Sequence, residues 1–476
     1  MPIPWRDDAR ARLRSTPFDV LVIGGGINGA GIARDAALRG LRVALLERDD
    51  FASGTSSRSS RLVHGGVRYL EHGYLHLVFE SSRERRTLLR IAPHLVRPLA
   101  FTWPVYRGAR IPKWKLSAGL WLYDVLALFR NVARHRSLGV LDVLEREPLL
   151  AREGLTGGAS YFDAATDDAR LTLANVVDAA GAGAAVLNHA DVTSVLFESG
   201  GACGAAGRDR LTGDRFDVRA GVVVNATGPW TDGISRIESP STPPAVLGTK
   251  GVHVAVAAER VGNRSAITLL SPADGRVMFV LPAGPCTIIG TTDAPTTETP
   301  DQVRATRAEV RYLLESANAF FPSAHLAPED VVTAWAGIRP LIASGNTSDP
   351  AGASREHQVL VGPRGVIAVS GGKLTTFRAM AEEVVDVVER RLGRRPSRCV
   401  TGRRPLPEIA NEFACTIADV QVRRTKVAFE TRDHGMSTAP AVAEQLAREF
   451  GWSAADSVHA LGEYRDEIAR LFTIDD

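Results

Sequence analysis

The chain has few cysteines, few lysines and little net charge, and each scarcity disfavours a class of protein. Its four cysteines form no CxxC pair and no metal-ligand spacing, so we expect neither a metal site nor a disulfide framework. The 57 basic residues, of which 5 are lysines, nearly balance 54 acidic ones and leave a net charge of +3. A charge this small does not predict a nucleic-acid partner.

Long apolar segments are also missing. The longest, residues 116–129, is too short to cross a bilayer and contains Asp124. The first 19 residues have no apolar core of the secretory type, and scattered cysteines suit a reducing compartment. At about 150 residues per domain, the length predicts about three domains, or two with a large insertion.

The first strong pattern is a βαβ unit that begins near residue 18. Residues 18–23 are a short β-branched run typical of a buried parallel strand, and residues 30–39 have the pattern of a helix. Between them, Gly24, Gly26 and Gly29 have the dinucleotide-binding spacing, and Glu47 ends the next strand about 20 residues further on.

Each of these residues has a physical role in binding a dinucleotide. Gly24 permits the tight turn, Gly26 lets the backbone approach a pyrophosphate, and Gly29 allows the helix to pack closely on the strand. The helix N-terminus offers free N–H groups to the phosphates. Glu47 accepts hydrogen bonds from ribose hydroxyls and disfavours a 2′-phosphate, so the residues alone indicate FAD or NAD.

Similar turns recur later in the chain. A hydroxyl-rich loop at residues 53–60 follows the second strand, buried strands end before Gly228 and Gly371, and residues 248–293 alternate like antiparallel strands. Nucleotide-type turns at the start, middle and end of the chain indicate one discontinuous dinucleotide domain into which an antiparallel domain is inserted.

Several ordered motifs resemble those of one family. Residues 17–400 contain, in this order, VIGGGINGAGIARDAALRG, SGTSSRSSRLVHGGVRYLEHG, DDARLTLANV, VVVNATGPW, TKGVHV, IIGTTDAP, WAGIRPL and SGGKLTTFR. In these motifs the chain resembles the FAD-dependent glycerol-3-phosphate dehydrogenases. The resemblance implies FAD as the cofactor and the D-amino-acid-oxidase-like flavoprotein fold.

The predicted fold class is therefore α/β: a discontinuous Rossmann-like FAD-binding domain, an inserted antiparallel β-sheet substrate domain and a small α-helical C-terminal domain. We assign residues 15–95, 160–235 and 345–395 to the first, 96–159 and 236–344 to the second, and 400–476 to the third. The third domain departs from the family because the stretch between Pro407 and Asp419 is shorter than usual, which puts its role in doubt.

The resemblance also implies a set of site residues. The cofactor-binding residues expected from it and from the turns are Gly24, Gly26, Asn28, Gly29, Glu47, Thr55, Ser56, Ser57, His64, Gly65, Gly66, Val192, Gly228, Trp230, Gly372, Lys373, Leu374 and Thr375. We expect no metal, and we expect His64 to contact the flavin without a covalent bond.

His253 is the candidate base for oxidation of a secondary alcohol. In the run from Gly251 to Val256 the valines take one strand face and His253 takes the other. With the valines in the core, His253 faces a cavity or solvent. The resemblance places it beside the flavin, and the alternative is a solvent-facing strand histidine.

Cations are the candidate ligands of a substrate phosphate. The resemblance selects Arg68, Arg339 and Lys373, and it counts Arg339 and Lys373 with His253 as catalytic. A guanidinium fork matches phosphate oxygens bidentately. Tyr69 is a further substrate contact by this reasoning, although packing explains it equally well.

Residues 113–136 form a predicted helix with two interpretations. Trp114, Trp121 and Phe129, together with Arg130, Arg134 and Arg136, have the basic and aromatic character of a helix at a lipid surface. The alternative is an internal helix of the substrate domain.

The function that the resemblance implies is oxidation of sn-glycerol 3-phosphate to dihydroxyacetone phosphate, with electrons passed to a membrane quinone. The enzyme is then expected to be cytoplasmic. We expect it to bind peripherally to an anionic lipid surface at the inner face of the cell membrane. A glycerol-3-phosphate oxidase that uses oxygen is the alternative. An amine or amino-acid oxidase of the same fold and a non-catalytic membrane-surface flavoprotein are weaker ones. The choice between monomer and homodimer stays open.

Overall fold

The computed structural model describes residues 4–15, 17–342, 357–410 and 412–476. Most strands lie in two sheets. In chain order the strands are β1 Phe18–Ile23, β2 Val43–Leu46, β3 Leu62–Val63, β4 Val96–Tyr106, β5 Arg136–Leu138, β6 Leu155–Thr166, β7 Ala185–Leu187, β8 Ala190–Glu198, β9 Gly201–Asp209, β10 Arg215–Asn225, β11 Val246–Ala257, β12 Ala266–Leu270, β13 Val277–Ala283, β14 Cys286–Gly290, β15 Ala294–Pro295, β16 Ala305–Thr306, β17 Val331–Ile342, β18 His357–Val361, β19 Ile367–Gly371 and β20 Ile474–Asp475.

Helices cover both sheets. In chain order they are α1 Pro4–Ser15, α2 Ile27–Leu38, α3 Leu75–Ile91, α4 Lys113–Leu126, α5 Val140–Arg146, α6 Asp168–Gly181, α7 Thr231–Glu238, α8 Ala258–Val261, α9 Arg307–Asn318, α10 Phe377–Arg391, α11 Val427–Glu430, α12 Ala439–Phe450 and α13 Ala454–Phe472. Short 3₁₀ segments at Thr55–Ser57, Val67–His72, Gly228–Trp230 and Leu374–Thr376 lie near the site described below.

The first sheet has the order β18-β19-β10-β1-β2-β7. Its central pairs, β10 with β1 and β1 with β2, are parallel, and β8 and β9 extend β10 as an antiparallel pair. Because β1 is buried on both faces, its alternate side chains enter two cores. Val20 and Val22 pack with α2, α6 and α10, while Leu21 and Ile23 pack with α1.

The second sheet has the order β15-β11-β14-β13-β12-β4-β6-β3, with β17 paired to β11 and β5 to β6. It is antiparallel except for the β12–β4 pair. The valines of β11 lie in a core with α9, as strand alternation predicts, and His253 lies on the other face.

These sheets confirm the predicted fold class. Strands of the first sheet come from three separated parts of the chain. Most strands of the second are β4, β5, β11 to β15 and β17. The domain boundaries stay a prediction. The second sheet also takes β3, and β6 extends across residue 160; the predicted junction at residues 344 and 345 lies outside the described residues.

The segment after residue 400 is helical and packs against the first sheet through buried charges. Asp50, which follows β2, accepts hydrogen bonds from Arg423 Nε at 2.6 Å and from Arg424. Asp419 is paired with His189 at 3.0 Å. These side chains are all buried or nearly so, so buried ion pairs tie the C-terminal segment to the first sheet beside the end of β2.

The prediction of one helix over residues 113–136 is wrong beyond residue 126. The helix α4 ends at Leu126 because Leu128 and Phe129 adopt positive φ angles of 54°. The carboxylate of Asp124 then accepts hydrogen bonds from Asn131 Nδ2 at 2.6 Å and from the His135 backbone at 3.1 Å, which turns the chain back toward β5. Arg130, Arg134 and Arg136 therefore lie beyond the helix.

Among the described helices, we find none with the length and apolar character needed to cross a membrane.

Candidate active site

A cleft of about 500 Å³ opens at the carboxyl ends of the parallel strands, between the two sheets. This is the edge at which open α/β sheets bind ligands. Most of the sequence-predicted residues meet there. Those that line the cleft are Gly24, Gly26, Asn28, Glu47, Thr55, Ser56, His64, Tyr69, Val192, Gly228, Trp230, His253, Arg339, Gly372, Lys373, Leu374 and Thr375.

The remaining predicted residues do not line the cleft and lie behind or beside it. Gly29, Ser57, Gly65, Gly66 and Arg68 form this group. Gly29 lies in the first turn of helix α2, where a Cβ atom would overlap the Gly24 carbonyl oxygen. The charge of Arg68 is close enough to His64 to help lower its pKa, which burial, Lys373 and Arg68 together bring to about 4.

The glycine turn after β1 leaves no room for side chains. Gly24 has φ +104°, and a Cβ atom there would lie 2.6 Å from the Ala226 carbonyl oxygen. Helix α2 begins at Ile27, whose N–H donates to Ser56 Oγ at 2.9 Å. The positive end of the α2 dipole therefore faces the cleft, where a pyrophosphate is stabilised.

Glu47 is fixed at the end of β2 by two backbone donors. Its carboxylate accepts from Gly25 N–H at 2.6 Å and from Asp49 N–H at 2.9 Å. Burial, followed by the charge of Asp49, raises the pKa of Glu47 to about 7. A carboxylate oxygen has lone pairs beyond these two bonds, so this group fits the ribose hydroxyls of a dinucleotide.

His253 lies on β11 between two neighbouring strands. Its ring is stacked on Trp335 of β17 at 5.2 Å and 12°, and on β14 a Cβ atom at Gly290 would overlap it. Burial, then the charges of Arg339 and Arg61, lower its pKa to about 3. The imidazole is therefore neutral at pH 7, which is the form that accepts a proton.

Arg339 lies on β17, beside the same part of β11. Its Nη1 donates to Asp293 Oδ1 at 3.0 Å and its Nη2 donates to Thr291 Oγ1 at 3.0 Å. A Cβ atom on Gly251 would lie within 3 Å of the guanidinium, so glycine there gives Arg339 its place above the sheet. Asp293 and Thr291 hold the guanidinium at the cleft wall.

Lys373 and Tyr69 form the second group of candidate substrate residues. The Lys373 ammonium lies 4.0 Å from the centre of the Tyr69 ring, and Nζ donates to Ser81 Oγ at 3.1 Å. A cation over an aromatic face is attracted by the ring quadrupole. Two cationic groups, Arg339 and Lys373, therefore line one cleft with His253.

The turn before Tyr69 is supported by helix α4. Gly65 N–H donates to Asp163 Oδ1 at 3.0 Å, and Tyr123 Oη donates to the same oxygen at 2.6 Å. A Cβ atom at Gly65 would overlap the Tyr123 hydroxyl. Gly65 therefore shapes the turn that presents Tyr69 to the cleft.

Sequence reasoning missed several residues that line the cleft. Ser60 forms a hydrogen bond with His253, although the sequence indicates only its loop neighbours Thr55, Ser56 and Ser57 as site residues. Arg58 is buried at the cleft wall, where burial and then Arg470 lower its pKa to about 10. Their signal in the sequence is weak, since serine fills this loop and arginine is abundant throughout the chain.

Comparisons with known proteins agree with this arrangement. The family described as FAD dependent oxidoreductase matches residues 19–387, and the C-terminal domain of alpha-glycerophosphate oxidase matches residues 406–457. An aerobic glycerol-3-phosphate dehydrogenase of Staphylococcus haemolyticus is 37% identical over 388 residues, which is 81% of this chain and 70% of the relative. One from Staphylococcus saprophyticus is 38% identical over the same shares.

Solved structures show the same likeness. The glycerol-3-phosphate dehydrogenase of Bacillus halodurans complexed with FAD is similar at 30% identity and a TM-score of 0.80, covering 98% of this chain and 97% of that one. The L-alpha-glycerophosphate oxidase of Mycoplasma pneumoniae with FAD bound, at 17% identity and a TM-score of 0.64, shares the fold over 83% of this chain and 100% of its own.

Proposed function

The chain belongs to the FAD-dependent oxidoreductases and, among them, to the glycerol-3-phosphate dehydrogenases, and we propose that it oxidises sn-glycerol 3-phosphate to dihydroxyacetone phosphate and passes the electrons to a membrane quinone. The observation that carries this proposal is the presence of His253 and Arg339 on neighbouring strands of one cleft wall. A base beside a guanidinium suits a substrate with a hydroxyl near a phosphate.

The glycine turn, the α2 N-terminus and Glu47 suit FAD. Gly24 and Gly26 leave the backbone open to the pyrophosphate, and Glu47 accepts from a ribose hydroxyl. When bound, FAD supplies the oxidant that takes up the hydrogen and electron pair of the C2–H bond. The protein's own side chains then have two tasks, to hold the phosphate and to accept the hydroxyl proton.

Arg339 and Lys373 hold the phosphate in this proposal. A guanidinium binds two phosphate oxygens at once, and each charge-assisted hydrogen bond contributes about 1.5–3 kcal/mol. Asp293 and Thr291 orient Arg339 before substrate arrives. Tyr69 keeps the Lys373 ammonium at the cleft by its ring face.

His253 accepts the hydroxyl proton. It is neutral at pH 7 because burial and the nearby charges of Arg339 and Arg61 lower its pKa. A phosphate dianion on Arg339 would compensate one of these charges and so raise the pKa of His253. Binding of the phosphate therefore also makes the base stronger.

The proposed contact with an anionic lipid surface, at the inner face of the membrane, rests on exposed apolar side chains. Trp114 is 74% exposed and Trp121 59% exposed, both on α4, and Phe129 is also exposed.

The neighbouring helix α3, which packs against α4, adds to this apolar surface. The exposed side chains on and before α3 are Tyr74, Leu75 and Phe79. Arg130 and Arg134 are exposed beside them. Apolar rings flanked by cations are typical of a lipid contact.

The decisive experiment is an anaerobic titration followed by absorbance. Addition of glycerol 3-phosphate to the purified protein should bleach the flavin bands, whereas glycerol should leave them nearly unchanged because it has no phosphate for Arg339. Equal bleaching by both compounds would remove the phosphate site from the proposal, and bleaching by an amino acid instead would make the protein an amino-acid oxidase.

A second mixing step identifies the electron acceptor. The reduced protein is mixed with a soluble quinone or with oxygen in a stopped-flow instrument. Faster reoxidation by the quinone is expected. Faster reoxidation by oxygen would assign the protein to the oxidases, and a protein that no substrate reduces would be a non-catalytic flavoprotein.

A further inference from the structure

The His253 imidazole is reached from the cleft through one nitrogen. Nδ1 is buried and has no hydrogen-bond partner among the side chains and backbone that the structure describes. Nε2 lies 2.8 Å from Ser60 Oγ. His253 is only 3% exposed, whereas Ser60 is partly exposed and lines the cleft. The Ser60 hydroxyl therefore stands between the open cleft and the lone pair of Nε2.

The ring is packed between two neighbouring strands. Trp335 is stacked on one side, and Gly290 approaches so closely that a Cβ atom there would overlap the imidazole. Trp335 is itself 2% exposed. Both contacts come from strands paired directly with β11, opposite His253 in register, so moving them would disrupt the sheet.

Ser60 is held as firmly as the ring. The backbone N–H and the hydroxyl of Ser59 both donate to Asp168 Oδ2, at 3.1 and 2.6 Å. The N–H of Arg61 donates to Ser59 Oγ at 3.0 Å, and its carbonyl accepts from Thr166 N–H at 2.9 Å. Both chain neighbours of Ser60 are thus tied down, which fixes the backbone of Ser60 beside the ring.

We propose that Ser60 relays the proton of the substrate hydroxyl to His253. The C2 hydroxyl gives its proton to Ser60 Oγ while the Ser60 hydroxyl gives its own proton to Nε2. One O–H bond breaks and one forms at Ser60, so serine ends unchanged and the imidazole gains one N–H bond and one positive charge. The electron pair left on the substrate oxygen completes the carbonyl as the C2–H hydrogen and its electron pair leave to the FAD oxidant.

The relay rests on the proposed function and makes one requirement of its own. Because Nε2 must accept from Ser60, the neutral imidazole must carry its hydrogen on Nδ1. The charges that face the ring are those of Arg339 and Arg61. Both disfavour the imidazolium, so the ring is neutral before substrate binds and one of its two nitrogens has a lone pair that can accept a proton.

Anaerobic stopped-flow reduction in mixtures of H₂O and D₂O tests the relay. In the parent protein two protons move together, so the rate should fall along a bowl-shaped curve as the deuterium fraction rises. Ser60→Ala should slow reduction by about 10²-fold or more, with a smaller solvent isotope effect and unchanged affinity for FAD. Ser60→Thr keeps the hydroxyl and should recover most of the rate.

Thr333→Val is the matched control. It removes from β17 a buried hydroxyl that has no hydrogen-bond partner among the described residues and lies two residues from Trp335. This variant should be reduced as fast as the parent. A Ser60→Ala variant reduced at the parent rate, or a linear isotope dependence in the parent, would overturn the relay and leave the substrate assignment intact.

Nitrogen NMR of ¹⁵N-histidine-labelled protein gives a readout independent of turnover. In the parent, with or without FAD, His253 should show the Nδ1–H tautomer, and Ser60→Ala should shift it toward a mixture. An Nε2–H tautomer in the parent would contradict the relay. If glycerol 3-phosphate fails to reduce a parent that shows the Nδ1–H tautomer, the substrate assignment fails while the Ser60–His253 pair stands.

Discussion

Glu47 gives the sharpest prediction, because FAD binding should depend on its ionisation. Burial and the charge of Asp49 raise the pKa of Glu47 to about 7 from an ordinary value of 4.5. Ribose hydroxyls donate to a carboxylate but find a weaker acceptor in the neutral acid. FAD should therefore bind the ionised form, release a proton below pH 7 and lower the pKa of Glu47.

The size of the effect follows from linkage. If bound FAD returns the pKa of Glu47 to 4.5, the dissociation constant at pH 5 should be about 70-fold larger than at pH 8. In the cofactor-free protein the raised pKa favours the neutral acid. The stability that Glu47 contributes is then fully present below pH 4.5 and lost as the pH rises through about 7.

Titration of the cofactor-free protein with FAD between pH 5 and pH 8, followed by flavin fluorescence, measures the dependence. Calorimetry in two buffers of different ionisation enthalpy counts the released proton. Glu47→Gln is the matched control, since it keeps the shape and cannot ionise, and its affinity should vary little with pH. An equally flat profile in the parent, or tighter binding at low pH, would refute the role given to Glu47.

Three further variants test the other parts of the proposal. His253→Ala should retain FAD and slow anaerobic flavin reduction by about 10²-fold or more, so reduction at the parent rate would exclude it as the proton acceptor. Arg339→Ala should chiefly raise the substrate dissociation constant, measured from the concentration dependence of flavin reduction; an unchanged constant would move the phosphate elsewhere. A triple variant should bind anionic liposomes more weakly at low salt, as measured by co-sedimentation, while its flavin is reduced as in the parent; it combines Arg130→Glu, Arg134→Glu and Arg136→Glu. Undiminished sedimentation would place the lipid contact elsewhere.

Local patterns predicted the parts of the fold that depend on neighbours in sequence. The strand before Gly24, the helix after it and Glu47 at the end of β2 all lie within 30 residues, and the structure has them in the expected order. The strand alternation around His253 is equally local. Such features follow from side-chain period and backbone freedom alone.

Features made by distant parts of the chain were missed. The bond between Ser60 and His253 joins residues 193 positions apart, and it needs the two sheets to meet. Helix α1 was not predicted because its Arg6 is buried, bonded to Asn188 and paired with Asp209, whereas periodicity treats arginine as exposed. The chain reverses after α4 because the His135 backbone N–H donates a hydrogen bond to the Asp124 carboxylate. The helix propensities of single residues do not encode such a contact.

The discontinuous first sheet has a consequence for biosynthesis. Its central strand β1 pairs with β10, about 200 residues later, and β10 pairs in turn with β19 at residues 367–371. The cleft between them is lined by residues as far apart in sequence as Gly24 and Thr375. About 350 residues must therefore leave the ribosome after Gly24 before the pocket closes, and until then the nascent chain exposes the apolar edges of unpaired strands. We therefore expect FAD to bind only after β19 and the turn that follows it have been synthesised.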